Sequence, residues 1–381
     1  MRKKQAHKPP RFAGRVGLFF AVLLIVILVF VFSDTLRAST IQRLIYWVGS
    51  GVSGTTDSAS ISFAADSRNR FHLIQNELAV LSTDALHVYR VSGDEEFFAP
   101  LSYRSPTLVG SPKYLIAFDR SGLNYLVTNG NKILLQSETD AGITNANINR
   151  NGAFSLITDG TDCKSLLTIY SPSQEPIFKL HSTEQYLLDA VVSNNNRDVA
   201  LLAFSAKSGV FEGSVSFYHL DENTPFATQA LSDCTPLKAA YNADDELWVL
   251  CEDRFLVFDE DGKQTQSISF DNKPIAKYSF ASQKLGAVLL DNTAAGGQFE
   301  LLTLGSHGTE PGRIQFSEDA LSVSTAGNYL AVQFSDKIVI YDETLSVFAT
   351  LNGPSNARNC ILREDGTVLV LGTNYARLLI P

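Results

Sequence analysis

Tyr329-Leu-Ala-Val-Gln-Phe-Ser-Asp-Lys-Ile-Val-Ile-Tyr341 carries two short apolar runs separated by a polar turn. The first, 329–334, is apolar at nearly every position, as expected of a strand buried on both faces. The second, Ile338-Val-Ile-Tyr341, ends in an aromatic residue just before a turn. The pair recurs along the chain. Copies of the second run are Leu86-His-Val-Tyr89, Leu123-Asn-Tyr125, Leu167-Thr-Ile-Tyr170, Val215-Ser-Phe-Tyr218, Leu256-Val-Phe258, Glu300-Leu-Leu302 and Arg377-Leu-Leu379. Apolar partners precede them at 78–81, 114–118, 154–157, 199–204, 247–250, 287–290 and 368–371.

The final positions of these copies advance by 36 to 48 residues, about 41 on average. That period matches one four-stranded propeller blade. Turn clusters such as Ser92-Gly93-Asp94, Asn129-Gly130-Asn131, Asn194-Asn195-Asn196, Asp261-Gly262 and Asp365-Gly366 punctuate the runs. No helical pattern of ten or more residues interrupts them. Residues 61–381 therefore read as an all-β domain, an eight-bladed β-propeller; the count falls to seven if Leu123-Asn-Tyr125 is not a true copy. The last blade stops after three strands, while 61–65 stands just before the first strand of blade 1, at 71–75. Residues 61–65 are expected to supply the missing outer strand and remove an open edge.

Ahead of the propeller the texture differs. Residues 1–15 hold Arg2, Lys3, Lys4, Lys8, Arg11 and Arg15 with no acid. Residues 16–32 are 17 consecutive residues without charge or polar side chain, about 25 Å as a helix and near the short limit for a bilayer core. The positive-inside bias predicts a cytoplasmic tail (1–15), a transmembrane helix (16–32) and an extracytoplasmic remainder at the cell membrane. A cleaved signal peptide is the competing reading; its apolar core would be unusually long, and no A-x-A pattern follows Phe32. Residues 33–48 place Ala38, Ile41, Leu44, Ile45 and Val48 on one helical face. This juxtamembrane segment reads equally as a membrane-lying or dimerising helix and as a neck packed beneath the propeller. Residues 49–60, GSGVSGTTDSAS, form a flexible Gly/Ser/Thr linker.

Net charge across the 381 residues is −9. With +6 on the tail, the rest carries −15, which argues against nucleic acid as a partner. The lipid bilayer, reached through the N-terminal helix, is the one partner the sequence names. Four cysteines without a CxxC pattern do not make a disulfide scaffold. Cys234 and Cys251 fall on the first two predicted strands of blade 5, mirrored about the turn 242–246, so a disulfide between them fits an oxidising exterior. Two buried small hydrophobes is the plainer reading. Cys163 and Cys360 are not expected to pair.

Catalytic, cofactor and metal signatures are absent from the sequence. The six histidines include no i, i+4 pair, and His87 and His219 sit in predicted strands. No GxSxG, GxxxxGK[ST] or GxGxxG occurs. Phe258-Asp-Glu-Asp-Gly262 offers alternating acids, but 263–267 hold none, so a β-turn fits better than a calcium loop.

The layout resembles the WD-repeat-like and quinoprotein-like propeller superfamily, and a family of bacterial single-pass membrane proteins with a basic tail, one anchor and a propeller ectodomain. The resemblance rests on layout and period and implies a bacterial envelope location without a known activity. The chain departs from WD repeats in lacking Trp-Asp and Gly-His signatures. It departs from quinoprotein dehydrogenases in lacking a Trp-ended docking motif, with Trp47 and Trp248 its only tryptophans. The expected role is a protein-interaction or envelope-binding scaffold meeting an envelope protein or cell-wall partner. An envelope glycan hydrolase or lyase with carboxylates at a channel mouth, or a ligand sensor, are the rivals. The longest predicted loops, 205–213 and 292–298, are candidate contact segments.

Overall fold

Each pair of apolar runs becomes the second and third strands of an antiparallel four-stranded sheet, and eight such sheets form. The computed structural model describes residues 60–381 except 208–209, 232–233 and 354–355. Blades 1 to 7 span residues 70–100, 106–138, 143–182, 186–231, 236–269, 275–316 and 322–352, and blade 8 begins at 359. Within blades 1 to 7, strands run in sequence order from the channel outward. Residues 1–59, including the expected tail, membrane helix, juxtamembrane helix and most of the linker, lie outside the described residues. No helix among the described residues is long and apolar enough to cross a membrane.

The core is a set of seams between blades. Leu78–Leu81 equivalents, such as Leu115–Ala117 in blade 2 and Ala287–Leu290 in blade 6, are almost wholly buried because alternate side chains enter opposite seams. Ala79 and Leu81 pack with Leu115 and Ala117 between blades 1 and 2. Leu78 and Val80 turn the other way and meet Leu369 and Leu371 of blade 8. Two-faced burial explains why these strands read as continuous apolar runs rather than alternating ones.

Closure occurs as expected, with a shorter and slightly earlier strand. Ser60–Ser62 pairs with Tyr375–Leu379 in the register Ser60↔Arg377, Ile61↔Ala376 and Ser62↔Tyr375. Blade 8 is thereby built from both ends of the propeller sequence, and its count of four strands makes eight complete blades.

Chain direction defines two faces. Turns between second and third strands share one face with the connectors between blades, here the connector face. First-to-second and third-to-fourth turns lie on the opposite face. Two details differ from the sequence reading. The segment 205–213 is no loop but the head of a tall hairpin, in which Asp198–Lys207 pairs with Val210–His219 over ten positions. The segment 292–298 contains a single 3₁₀ turn, Thr293–Ala295. Both belong to the connector face.

The acids at 259–261 fold into a tight hairpin turn. Gly262 donates its N–H to the Asp259 carbonyl at 3.0 Å, and the Asp259 carboxylate accepts the Lys263 N–H at 2.8 Å. Gly262 has φ +71°, and a Cβ there would come within 2.7 Å of the Phe217 ring and of Ala227. Glycine is required at this point for both reasons.

Candidate ligand-binding face

The innermost strands of blades 3 to 6 share an irregularity at their connector-face ends. Each carries a bulge against its second strand, between Ile143 and Asn145, Leu187 and Asp189, Pro236 and Lys238, and Ile275 and Lys277. The inner strands of blades 1, 2, 7 and 8 pair without one. A bulge leaves one residue outside the ladder and re-aims its neighbours. In blade 5 the extra residue is Leu237, 45% exposed despite its apolar side chain.

The bulges position a buried acid. Asp189 follows the bulge of blade 4, and its side chain is only 3% exposed. One oxygen accepts from Lys238 Nζ at 2.8 Å and from the Ala239 N–H at 3.3 Å, both in blade 5. The other accepts from Asn145 Nδ2 of blade 3 at 3.2 Å and from its own neighbour, the Ala190 N–H, at 3.1 Å. A carboxylate in a low-dielectric wall needs such partners. Asp189 thus locks three blades together beside the channel.

The opposite face is closed off locally by amide side chains. Asn149 Nδ2 of blade 3 donates to the Ser193 carbonyl of blade 4, and Asn194 Nδ2 donates to the Asn242 carbonyl of blade 5, each at 2.8 Å. Gln283 of blade 6 reaches back to Asn194 Oδ1 at 3.0 Å. Arg150 of blade 3 meets Gln283 at 3.4 Å, across two intervening blades. The Asn194-Asn195-Asn196 cluster, which reads in sequence as an ordinary turn, is a junction of this network.

On the connector face the surface is divided by chemistry. Tyr186 of blade 4, at the start of its inner strand, is 48% exposed and stacks on Phe204 of the tall hairpin with ring centroids 5.3 Å apart. Leu237 of blade 5 and Leu321, just ahead of blade 7, are exposed at the same ends. Around blades 1 and 2 arginines take over, with Arg68, Arg70, Arg104 and Arg120 around one groove.

The structure brings Cys234 and Cys251 together. Their sulfurs are 3.1 Å apart, both buried and both free thiols here. Cys251 ends the second strand of blade 5, whereas Cys234 lies two residues ahead of the first strand rather than on it. Contact with Cys234, and then burial, push the Cys251 thiol well above its ordinary value. Cys360 is buried against the Ser322 hydroxyl, and Cys163 sits in a turn of blade 3. His87 and His219 each face one acid, Glu95 and Asp198 respectively. Among the described residues no three His, Cys, Asp or Glu side chains form a metal-binding group.

One carboxyl with a strongly raised pKa lies away from the channel. Burial, and then the neighbouring Glu96, push Glu77 up to about 7. Arg90, with Glu77 as the second cause, holds Glu96 down at about 2. Both acids belong to blade 1, on its second and fourth strands, so this pair does not join acids from different blades. Because the Glu77 pKa is raised on folding, its contribution is fully present below about pH 4.5 and is lost as pH rises through 7. Glu77→Gln is therefore expected to melt at a higher temperature than the parent at pH 8 while the gap closes at pH 5; parallel melting curves across that range would refute the raised Glu77 pKa.

An eight-bladed β-propeller whose inner strands bulge in blades 3 to 6, where amides also bridge the turns of the opposite face, is the class of protein these features define. The chain belongs to the family described as a family of unknown function, DUF5711, whose profile matches residues 53–361. No curated protein matches the sequence. Among solved structures, the C-terminal WD40 domain of Sif2 is similar with TM-score 0.58 at 12% identity, covering 86% of this chain and 97% of that one. BamB from Moraxella catarrhalis gives 0.52 at 10% identity, covering 86% and 99%. Sqt1 from Chaetomium thermophilum, bound to the N-terminus of ribosomal protein L10, gives 0.56 at 11% identity, covering 85% and 100%. At such identities the likeness concerns the fold.

Proposed function

We propose that this chain is a membrane-anchored, extracytoplasmic scaffold that holds a partner protein of the envelope on its connector face. The carrying observation is the asymmetry of the ring. Tyr186, Leu237 and Leu321 stand exposed at the inner-strand starts of one mouth, beside the tallest hairpin among the described residues, while amides bridge the turns at the other. Exposed aromatic and aliphatic anchors on a rigid frame are the features that carry protein–protein affinity. Sqt1, similar in fold, is bound to the N-terminus of ribosomal protein L10.

The path of the chain fits this reading. Ser60 stands at the opposite-face end of its strand and Ser62 at the connector-face end, since Ser62 pairs with Tyr375 at the start of the third strand. Ser60, the first described residue, therefore stands on the face bridged by amides. The apolar run 16–32 and the basic tail support the anchor and its orientation, which a tag at each end and protease treatment of intact cells will test.

Site-specific photo-crosslinking in cells tests the face. A benzophenone side chain at position 186 or 321 is expected to yield a discrete adduct with a membrane or envelope protein, and one at position 150 is expected to yield none. Adducts from 150 alone, or from no position, would overturn the assignment.

A further inference from the structure

We propose that the groove between blades 1 and 2 on the connector face is a binding site for phosphoryl anions. It encloses about 410 Å³ and is lined by four guanidinium groups, from Arg68, Arg70, Arg104 and Arg120, with Ser105 and Thr107 between them. Such a concentration of cations is unexpected in a chain whose residues after the basic tail sum to −15.

The acids on the lining segments are already engaged. Asp66 pairs with Arg68 at 3.3 Å and also accepts the Arg68 backbone N–H at 2.8 Å. Asp119 is 8% exposed and accepts the Ser105 N–H at 2.6 Å. Among the described residues, no carboxylate pairs with Arg70, Arg104 or Arg120. Three like charges lining one groove without a paired carboxylate repel one another, a cost that a bound anion relieves.

The backbone beneath these arginines is held in place before any ligand arrives. The Arg120 N–H donates to the Ser105 carbonyl at 3.0 Å, tying the second-to-third-strand turn of blade 2 to the connector that carries Arg104. The buried Asn69 donates its side-chain amide to the Ala64 carbonyl at 2.8 Å, fixing the approach to Arg70. Preorganised donors bind with less loss of conformational freedom.

The donor set selects the anion. Guanidinium forks match the paired oxygens of phosphate and carboxylate. A carboxylate would neutralise one of three unpaired charges, whereas a terminal phosphate brings about −1.5 to −2 and three acceptor oxygens. The ligand is thus a phosphoryl group, borne either by a soluble phosphate compound or by a lipid headgroup. This site stands apart from the apolar rim at blades 4 to 7, so its test does not depend on the partner proposed above.

Isothermal titration of the full chain in neutral detergent, at low salt, tests the proposal. Inorganic pyrophosphate represents a soluble phosphate, glycerol 3-phosphate the monoester head of an anionic lipid, and acetate a single-carboxylate control. Binding of either phosphate compound at least tenfold tighter than acetate is expected, with the stronger of the two identifying the source. The double variant Arg104→Ala/Arg120→Ala, and independently Arg70→Ala, should weaken that binding tenfold or more without lowering the melting temperature. Equal binding of acetate, binding unchanged in both variants, or no binding of either phosphate compound would overturn the proposal.

Discussion

Ile61→Ala is expected to destabilise the propeller by about 2–5 kcal/mol, a large cost for a residue in a three-residue strand. Ile61 is 1% exposed and lies in the seam between the last and first blades, with Phe63, Leu78, Val80, Leu369 and Leu371. Other seams join blades connected directly along the chain. This one depends on Ser60–Ser62 adding to blade 8 across most of the sequence length. A cavity at Ile61 removes apolar contact where the ring has no covalent continuity. Loss of the strand would also leave Tyr375–Leu379 as an unpaired edge, a template for association between copies. Denaturant unfolding of the full chain in detergent should show the shifted midpoint, and sedimentation should show larger species for a deletion of residues 60–62. A parental midpoint in Ile61→Ala would show that the closing strand carries little of the stability.

Asp189→Ala should cost about 3–5 kcal/mol, the range for breaking a buried charge pair by removing one partner. The substitution leaves Lys238 Nζ and the Ala239 N–H without this acceptor, while the Asn145 amide keeps only its 2.8 Å bond to the Leu188 carbonyl. Three blades lose a shared anchor at once. The double variant Asp189→Ala/Lys238→Ala separates the charge effect from the rest, since it removes the stranded cation together with the acid. It should recover part of the lost stability in the same unfolding measurement. If the single variant unfolds like the parent, the carboxylate is not the lock that its four hydrogen bonds suggest.

Much of the fold is legible because a blade is a local object. Its strands pair with sequence neighbours, so the signal of one blade fits within about 41 residues. The runs at 78–81 and 247–250 announce strands buried on both sides, and they are buried on both sides. The absent fourth strand after Leu379 points to closure by the segment near Ile61. Blade number also survives the weakest copy, since Asn124–Thr128 is a full third strand. The candidate site is another matter. Arg70, Arg104 and Arg120 are separated by connectors and turns and follow no spacing rule. The bulges at Leu188 and Leu237 displace residues that alternation alone would assign to a regular ladder. The tall hairpin reads as a loop because Ser205, Lys207, Ser208 and Gly209 interrupt the apolar pattern.

What the sequence by itself determined is the all-β propeller, with eight blades and a closing strand near Ile61 expected and seven blades as the alternative, along with the expectation of an anchor at 16–32. Periodicity and apolar patterning encode the blades because each depends on contacts close along the chain or on burial of whole runs. Only the tertiary structure decided which face is capped by Asn149, Asn194 and Gln283, and which arginines share a groove. It also decided where Asp189 finds its partners. Those features arise where neighbouring blades meet, between residues tens of positions apart, and no local pattern records such meetings.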